Sequence, residues 1–204
     1  MDLLIIRHGL PIRRENVLDG PADPELSSGG LRQAELLAEY LASEQIDALY
    51  VSPLRRARQT AAPLAALKGL TPIVEDGVAE YDRESDSYIP IEELKATRDP
   101  RYYDVMNGTD GVDRATFNKL VIETVERLVV AHARQRIAIV CHGGVINAYL
   151  AHVLGLATDM AGFFYPNYTS INRVVCSSSG HRTITSVNET AHLRGTGLPM
   201  GVHD

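Results

Sequence analysis

Two histidines stand directly after short apolar runs of the sequence. The run Leu3–Ile6 is followed by Arg7 and His8, and the run Ile137–Cys141 is followed by His142. Such β-branched runs are typical of strands buried on both faces of a parallel sheet. Because ligands bind at the carboxyl ends of parallel strands, the two imidazoles are expected to share one crevice. Paired histidines suit nucleophilic catalysis and charge stabilisation, although either one alone fits a residue that only caps a loop.

Three arginines follow the next predicted strand, Asp47–Val51. They are Arg55, Arg56 and Arg58. The planar guanidinium group binds phosphate oxygens with two hydrogen bonds and stays charged, so an arginine at a strand end suits an anion site. Residues at this spacing on a helix do not all share one face, so at least one of the three is expected to be solvated surface.

Glu80 is the candidate proton donor. It lies among small and aromatic neighbours in the segment 77–82. A carboxyl group held partly away from water keeps its proton and acts as a general acid. From the residues alone, Asp76, Asp82 and Glu84 compete for the same role.

Helical and strand patterns alternate along the chain. Apolar spacing predicts helices over residues 31–41, 53–66, 117–129 and 145–154, and further strands over residues 71–74, 169–176 and 183–187. This order predicts an α/β fold with a mainly parallel central sheet and helices on both faces. The length of 204 residues suits one domain, 1–204, in which the unpatterned segment 81–113 is the candidate lid or substrate segment.

Composition excludes several classes of protein. Apolar residues make up 45% and charged residues 23% of the chain, which is typical of a globular domain. A net charge of −6 argues against nucleic acid or an anionic membrane as partner. The four apolar residues before Arg7 are too few for a signal peptide or a membrane span, so a cytoplasmic location is expected. The two isolated cysteines, Cys141 and Cys176, predict neither a disulfide framework nor a zinc site.

Taken together, these residues resemble the histidine phosphatase superfamily, the group that includes the cofactor-dependent phosphoglycerate mutases. The resemblance runs from residue 3 to residue 193, over essentially the whole chain. It is carried, in order, by Leu4–Gly9, by Asp23–Ser27 with Gly30, Gln33 and Ala34, by Ser52–Leu54 with Arg56, Ala57 and Gln59–Ala61, by Glu80, by Val140–Gly144 and by Asn188–Leu193.

The resemblance implies a phosphoglycerate mutase-like fold and a phosphatase that needs no metal and no cofactor. It implies that His8 accepts the phosphoryl group as a phosphohistidine, while Arg7, Arg56 and His142 surround its oxygens. Glu80 would protonate the leaving alkoxide and then activate the water that hydrolyses the phosphoenzyme. His192, in the last motif, is expected to be structural.

The chain departs from the family pattern in places. Leu10 stands where many members have Glu or Gln, and Arg14 replaces a common Asn, a role that Asn16 is expected to fill. The backbone at Gly143 is expected to approach the phosphate. Acidic residues after the proton donor would repel highly anionic substrates, so a small metabolite with a single phosphate is expected. The tyrosines expected to contact its apolar or sugar part are Tyr81, Tyr88, Tyr102 and Tyr103.

The motifs allow two other functions and disfavour a third. A phosphoglycerate-type mutase would retain the phosphoenzyme, and an inactive member would only bind a phosphorylated ligand; both stay open. A cysteine phosphatase is disfavoured, because Asn147 stands where that loop needs an arginine, six residues after Cys141. The aromatic run Phe163–Tyr165 fits either a homodimer contact or the core.

Overall fold

The computed structural model describes residues 1–157 and 162–201, and within them one mixed sheet forms the centre. Its strands are β1 (Asp2–Arg7), β2 (Ala48–Val51), β3 (Ile73–Val74), β4 (Arg136–Cys141), β5 (Ile171–Cys176) and β6 (Arg182–Glu189). Their order across the sheet is β3-β2-β4-β1-β5-β6. The first four in this order are parallel, whereas β5 is antiparallel to both β1 and β6. The predicted mainly parallel sheet is confirmed.

Helices cover both faces of this sheet, as predicted. They are α1 (Ser28–Tyr40), α2 (Arg55–Lys68), α3 (Ile91–Ala96), α4 (Pro100–Asn107), α5 (Arg114–Ala131) and α6 (Gly143–Leu154). Alternate residues of β1 point to opposite faces: Leu4 and Ile6 pack with α1 and α2, and Leu3 and Ile5 pack with α5 and α6. In the described part of the chain, no helix has the length and apolar character needed to span a membrane.

The segment predicted to lack periodicity contains two short helices. Helix α3 buries only Leu94 and α4 buries no residue, so neither carries the apolar stripe that reveals a helix in a sequence. Helix α4 instead begins at local signals, because the side chain of Asp99 accepts a hydrogen bond from the Arg101 amide and Pro100 occupies the first turn.

The parallel register brings three strand ends to one edge of the sheet. Arg7 of β1 lies opposite Cys141 of β4, and the His8 amide donates to the Cys141 carbonyl (2.9 Å). On the other side of β4, the Ser52 amide donates to the Val140 carbonyl (3.0 Å). The residues that follow β1, β2 and β4 are therefore neighbours in space.

The loop after β1 is fixed to the first turn of α1. The Leu10 amide donates to Gln33 Oε1 (2.8 Å), and the Leu10 carbonyl accepts from both the amide and the hydroxyl of Ser27 (2.9 Å each). This approach requires glycine at position 30, since a Cβ there would lie 2.1 Å from the Leu10 carbonyl oxygen. The motif around Ser27 and Gly30 thus holds the backbone that carries His8.

We expect Gly30→Ala to lower the free energy of unfolding by about 1–3 kcal/mol, because its methyl group would overlap backbone atoms that cannot rotate away. Gly29→Ala is the matched control, since a Cβ at Gly29 meets nothing closer than 3.7 Å. Urea denaturation of both variants measures the difference. Equal stability of the two variants would show that the Leu10 loop is not held in this way.

Candidate active site

His8 and His142 form a buried pair at the edge where the strands end. Their ring centroids lie 5.1 Å apart, and both side chains are almost fully inaccessible. His8 Nδ1 lies 2.8 Å from the Gly9 carbonyl oxygen. A carbonyl oxygen only accepts hydrogen bonds, so Nδ1 carries the proton and the lone pair of the neutral ring lies on Nε2.

Burial and positive charge keep both imidazoles neutral. Burial lowers the pKa of His8 well below its usual value, the charges of Arg56 and Arg7 lower it further, and the hydrogen bond to Gly9 opposes them. The pKa of His142 is also lowered well below its usual value, first by burial and then by Arg56, His8 and Arg7. A neutral imidazole retains the lone pair that a nucleophile needs, so His8 is in the reactive protonation state at neutral pH.

Ser52 is the hydrogen-bond partner of His142. Its Oγ lies 2.7 Å from His142 Nε2 and accepts a hydrogen bond from the Leu54 amide (3.3 Å). The hydroxyl oxygen has a second lone pair and one proton, so it can accept from Nε2–H or donate to Nε2. In the tautomer to which it donates, the proton of the neutral ring is on Nδ1, which is buried and has no hydrogen-bond partner among the described residues.

Two arginines stand beside the histidines, each held by other side chains. Arg7 Nη1 donates to the Pro166 carbonyl (2.6 Å), and its guanidinium carbon lies 4.2 Å from the centre of the Tyr168 ring. Arg56 is 1% exposed; its Nη2 donates to Asp82 Oδ1 (2.8 Å) and its guanidinium lies over the Tyr88 ring. Arg55 and Arg58 are exposed, in agreement with the expectation that the three arginines do not act together.

Buried nitrogen atoms without partners lie beside the two histidines. Among the unpartnered buried atoms of residues 1–157 and 162–201 are Arg7 Nε, Arg56 Nε and His142 Nδ1. A buried N–H group without an acceptor costs about 1–3 kcal/mol, so several in one place are typical of a site that is completed by a ligand. Two fixed cations and a neutral imidazole suit an oxyanion with several acceptor oxygens, such as a phosphate group.

Glu80 has the properties of a general acid. Its carboxylate is 8% exposed and accepts hydrogen bonds from the amides of Gly144 (2.8 Å) and Tyr81 (3.2 Å). Burial, and then the charge of Asp82, raises the pKa of Glu80 to about 7, although the two amides and Arg56 act in the opposite direction. Glu80 is therefore part protonated at neutral pH and can both donate and accept a proton.

The other acidic candidates have different environments. Asp76 and Glu84 are exposed, and Asp82 is paired with Arg56.

The contact between Glu80 and the start of α6 explains the glycine at position 144: a Cβ there would lie 2.3 Å from Glu80 Oε1. Any other residue at position 144 would therefore displace the Glu80 carboxyl group from its place at the start of α6.

A cavity of about 590 Å³ opens from this cluster. Among its lining residues are His8, Arg7, Arg56 and Glu80, together with Gly143 and Tyr81, so the structure brings these predicted residues together. Tyr88 lines the cavity as well, whereas Tyr102 and Tyr103 do not.

Asn16 is not part of this group. Its side chain is exposed, its amide donates to Ser87 Oγ (3.0 Å), and it does not line the cavity. The position of Asn16 gives no support to the phosphate-binding role expected for it. Asn16 has a φ of 52°, in the left-handed region that asparagine tolerates.

The aromatic run Phe163–Tyr165 lines the cavity, and both phenylalanines pack against the core. The side chain of Asn147 holds this run in place: its Oδ1 accepts from the amides of Phe163 (3.1 Å) and Phe164 (3.3 Å), and its Nδ2 donates to the carbonyl of Phe164 (3.1 Å). The two phenylalanines are thus half-buried against the core, and the homodimer contact stays a prediction.

Sequence reasoning missed three residues of the site. Ser52 directly follows a buried strand, as His8 and His142 do, and that signal could have identified it. Asp82, one of the candidates for the proton donor, pairs instead with Arg56. Tyr168, which packs against Arg7 and His8, stands in an irregular stretch before β5 and carries no such signal.

Comparison with known proteins gives a family for this site. Residues 3–190 match the family model described as histidine phosphatase superfamily (branch 1). The chain is 30% identical over 203 residues to a probable phosphatase of Schizosaccharomyces pombe, covering 97% of this chain and 90% of that protein. It is 29% identical to phosphoserine phosphatase 1 of Hydrogenobacter thermophilus, covering 94% and 93% of the two chains.

A solved structure agrees in fold. A crystal structure of a phosphoserine phosphatase mutant from Entamoeba histolytica, in complex with phosphoserine, superposes with a TM-score of 0.72 at 26% identity, covering 94% of this chain and 98% of that one. The predicted fold is confirmed, and so is the predicted enzyme class, a phosphoric monoester hydrolase of the histidine phosphatase type. From the match over residues 3–190 and the 30% identity to the yeast relative, it follows that this chain belongs to the histidine phosphatase superfamily.

Proposed function

We propose that this chain hydrolyses small phosphomonoesters through a covalent phosphohistidine formed on Nε2 of His8, without a metal ion. The observation that carries the proposal is the neutral, buried His8 next to three buried nitrogen atoms that lack partners among the described residues, two of them guanidinium N–H groups. His8, both arginines and Glu80 line the same cavity. Relatives of this chain bear the names of phosphatases, and the Entamoeba histolytica neighbour was solved with phosphoserine, which supports a small phosphorylated molecule as substrate.

In the first step, Nε2 of His8 attacks phosphorus and the bond from phosphorus to the ester oxygen breaks. The guanidinium groups of Arg7 and Arg56 and Nδ1–H of His142 offset the charge on the oxygens that do not leave. Glu80 gives its proton to the departing alkoxide, which leaves as a neutral alcohol. The phosphoryl group is then bound to His8 and Glu80 is a carboxylate.

In the second step, water occupies the position of the departed alcohol. The Glu80 carboxylate accepts a proton from this water, and the water oxygen attacks phosphorus while the bond to His8 Nε2 breaks. Inorganic phosphate leaves, Glu80 is protonated again and His8 is neutral. A pKa near 7 suits Glu80 for both directions of proton transfer.

The first prediction concerns the nucleophile. We expect phosphate release from p-nitrophenyl phosphate in excess EDTA to persist in the wild type and to fall by about 10³-fold or more in His8→Ala, since no other group takes over the attack. His181→Ala, an exposed histidine in the turn between β5 and β6, is the control and should retain full activity.

Other results would lead to other conclusions. Equal activity of His8→Ala and wild type would remove His8 from the mechanism, and activity lost in EDTA would contradict the metal-independent route. Rapid interconversion of phosphoglycerate isomers with little phosphate release would identify a mutase instead.

The second prediction concerns Glu80 and pH. With an alkyl phosphate as substrate, we expect kcat/KM to fall as pH rises through about 7, because only protonated Glu80 can protonate the alkoxide. Glu80→Gln should lower kcat/KM by about 10²–10⁴-fold and remove this dependence. Asp82→Asn should move the fall to lower pH, since the charge of Asp82 raises the pKa of Glu80.

A leaving group that departs without a proton provides the control for this experiment. The kcat/KM of Glu80→Gln with p-nitrophenyl phosphate should be close to that of the wild type, because p-nitrophenolate is stable as an anion. A fall above pH 7 that persists in Glu80→Gln would assign the titration to another group.

A further inference from the structure

The cavity is much larger than the group that reacts. Its volume of about 590 Å³ lies in the range of sites that bind drug-sized molecules, whereas the cluster around His8 accounts only for a phosphate group. The chemical character of the rest of the wall therefore indicates which kind of alcohol the substrate carries.

That outer wall is mainly apolar. Its side chains come from the segment between β3 and α5, from α5 and α6, and from the run before β5; they include Leu94, Val105, Val112, Phe117, Phe163 and Phe164. The rings of Tyr81 and Phe117 meet edge to face with centroids 5.8 Å apart, and those of Phe163 and Phe164 do so at 4.9 Å. Half-exposed aromatic and aliphatic side chains around a cavity are suited to an apolar ligand.

Positive charge on this outer wall is already neutralised by carboxylates of the protein. The two arginines of the described outer wall are Arg101 and Arg114. Arg114 binds both oxygens of Asp110, with distances of 2.6 and 2.8 Å, and both side chains are 12% exposed. Arg101 binds both oxygens of Asp99, at 2.9 and 2.7 Å.

A second anionic group on the substrate would meet these occupied arginines and the carboxylates that hold them. Asp104 lines the same wall and adds a negative charge there, whereas the charge of Asp110 is balanced by Arg114. A substrate carboxylate would have to displace Asp110 from a bidentate pair and would be repelled by it meanwhile. An uncharged alkyl or aryl group would instead lose only its contact with water.

We propose, on the basis of the phosphatase function above, that the substrate is the phosphomonoester of an apolar alcohol with no second anionic group, and that Asp110 excludes carboxylated phosphomonoesters by occupying Arg114. Asp110 is thus a specificity-determining residue. This substrate class differs from phosphoserine and the phosphoglycerates, which carry a carboxylate beside the phosphate.

The test uses substrates that share one leaving-group chemistry: n-propyl phosphate, n-hexyl phosphate and the phosphate ester of 6-hydroxyhexanoate. We expect kcat/KM for hexyl phosphate to exceed that for propyl phosphate by about tenfold or more, because three further methylene groups enter the apolar wall. The carboxylated ester should be about tenfold or more poorer than hexyl phosphate, and phosphoserine should be poor as well.

Asp110→Asn tests the role of the ion pair. It retains an acceptor for the Val112 amide but removes the charge that neutralises Arg114, so kcat/KM for the carboxylated ester relative to hexyl phosphate should rise about tenfold. Glu123→Gln makes the same change of charge on an exposed position of α5 outside the cavity and should leave this ratio unchanged. The wild-type comparison remains decisive if Asp110→Asn does not fold.

The outcomes separate the two proposals. Preference of the wild type for phosphoserine or the carboxylated ester over hexyl phosphate would overturn the substrate class while leaving the phosphatase function intact. An unchanged ratio in a folded Asp110→Asn variant would overturn the role of Asp110. Release of phosphate from none of these esters, nor from p-nitrophenyl phosphate, would overturn the proposed function itself.

Discussion

The rest of the site depends on the placement of positive charge beside two neutral, buried histidines. Arg56 is buried and Arg7 is half-buried, and the charges of both lower the pKa of His8. The same charges that keep His8 unprotonated therefore also attract the phosphate group that we propose it attacks. Protonating an imidazole beside two arginine cations would cost free energy, so the histidines stay neutral. The positive charge of the arginines is then left to bind an anion, and it is in place before the anion arrives.

Burying two arginine side chains is unfavourable unless other groups contact them. The contacts that the fold provides leave the Nε–H edge of each guanidinium group without a partner in the described part of the chain. The rings of Tyr168 and Tyr88 cover the two guanidinium planes, while the Pro166 carbonyl and Asp82 each accept one hydrogen bond. The Nε–H groups remain without acceptors among the described residues. Asp82 has a second effect, since its charge raises the pKa of Glu80. The Asp82 carboxylate thus both orients Arg56 and raises the pKa of the proposed proton donor, Glu80.

Sequence patterns predicted the layers of the fold and most of the site, because both follow from local signals. The apolar runs before His8 and His142 are strands, and parallel pairing of β1 with β4 places their ends together. Helices α3 and α4 were not predicted, since short helices with few buried residues have no stripe to detect. The partners of the arginines were missed for a different reason: Tyr88 and Tyr168 come from distant irregular segments, and only the folded chain stacks them on charged groups. Likewise, no pattern separates Asp110, which neutralises Arg114, from an ordinary exposed acid.

The central claim is that Nε2 of His8 carries the phosphoryl group, and it is tested most directly in Glu80→Gln with p-nitrophenyl phosphate. This substrate needs no proton donor for the first step, whereas the variant lacks the base for the second, so the phosphoenzyme should accumulate. We expect a burst of one p-nitrophenolate per active site and, after quenching in alkali, phosphorus on Nε2 of His8 by NMR. Linear release without a burst, or phosphorus on Nδ1 or on another residue, would contradict the account.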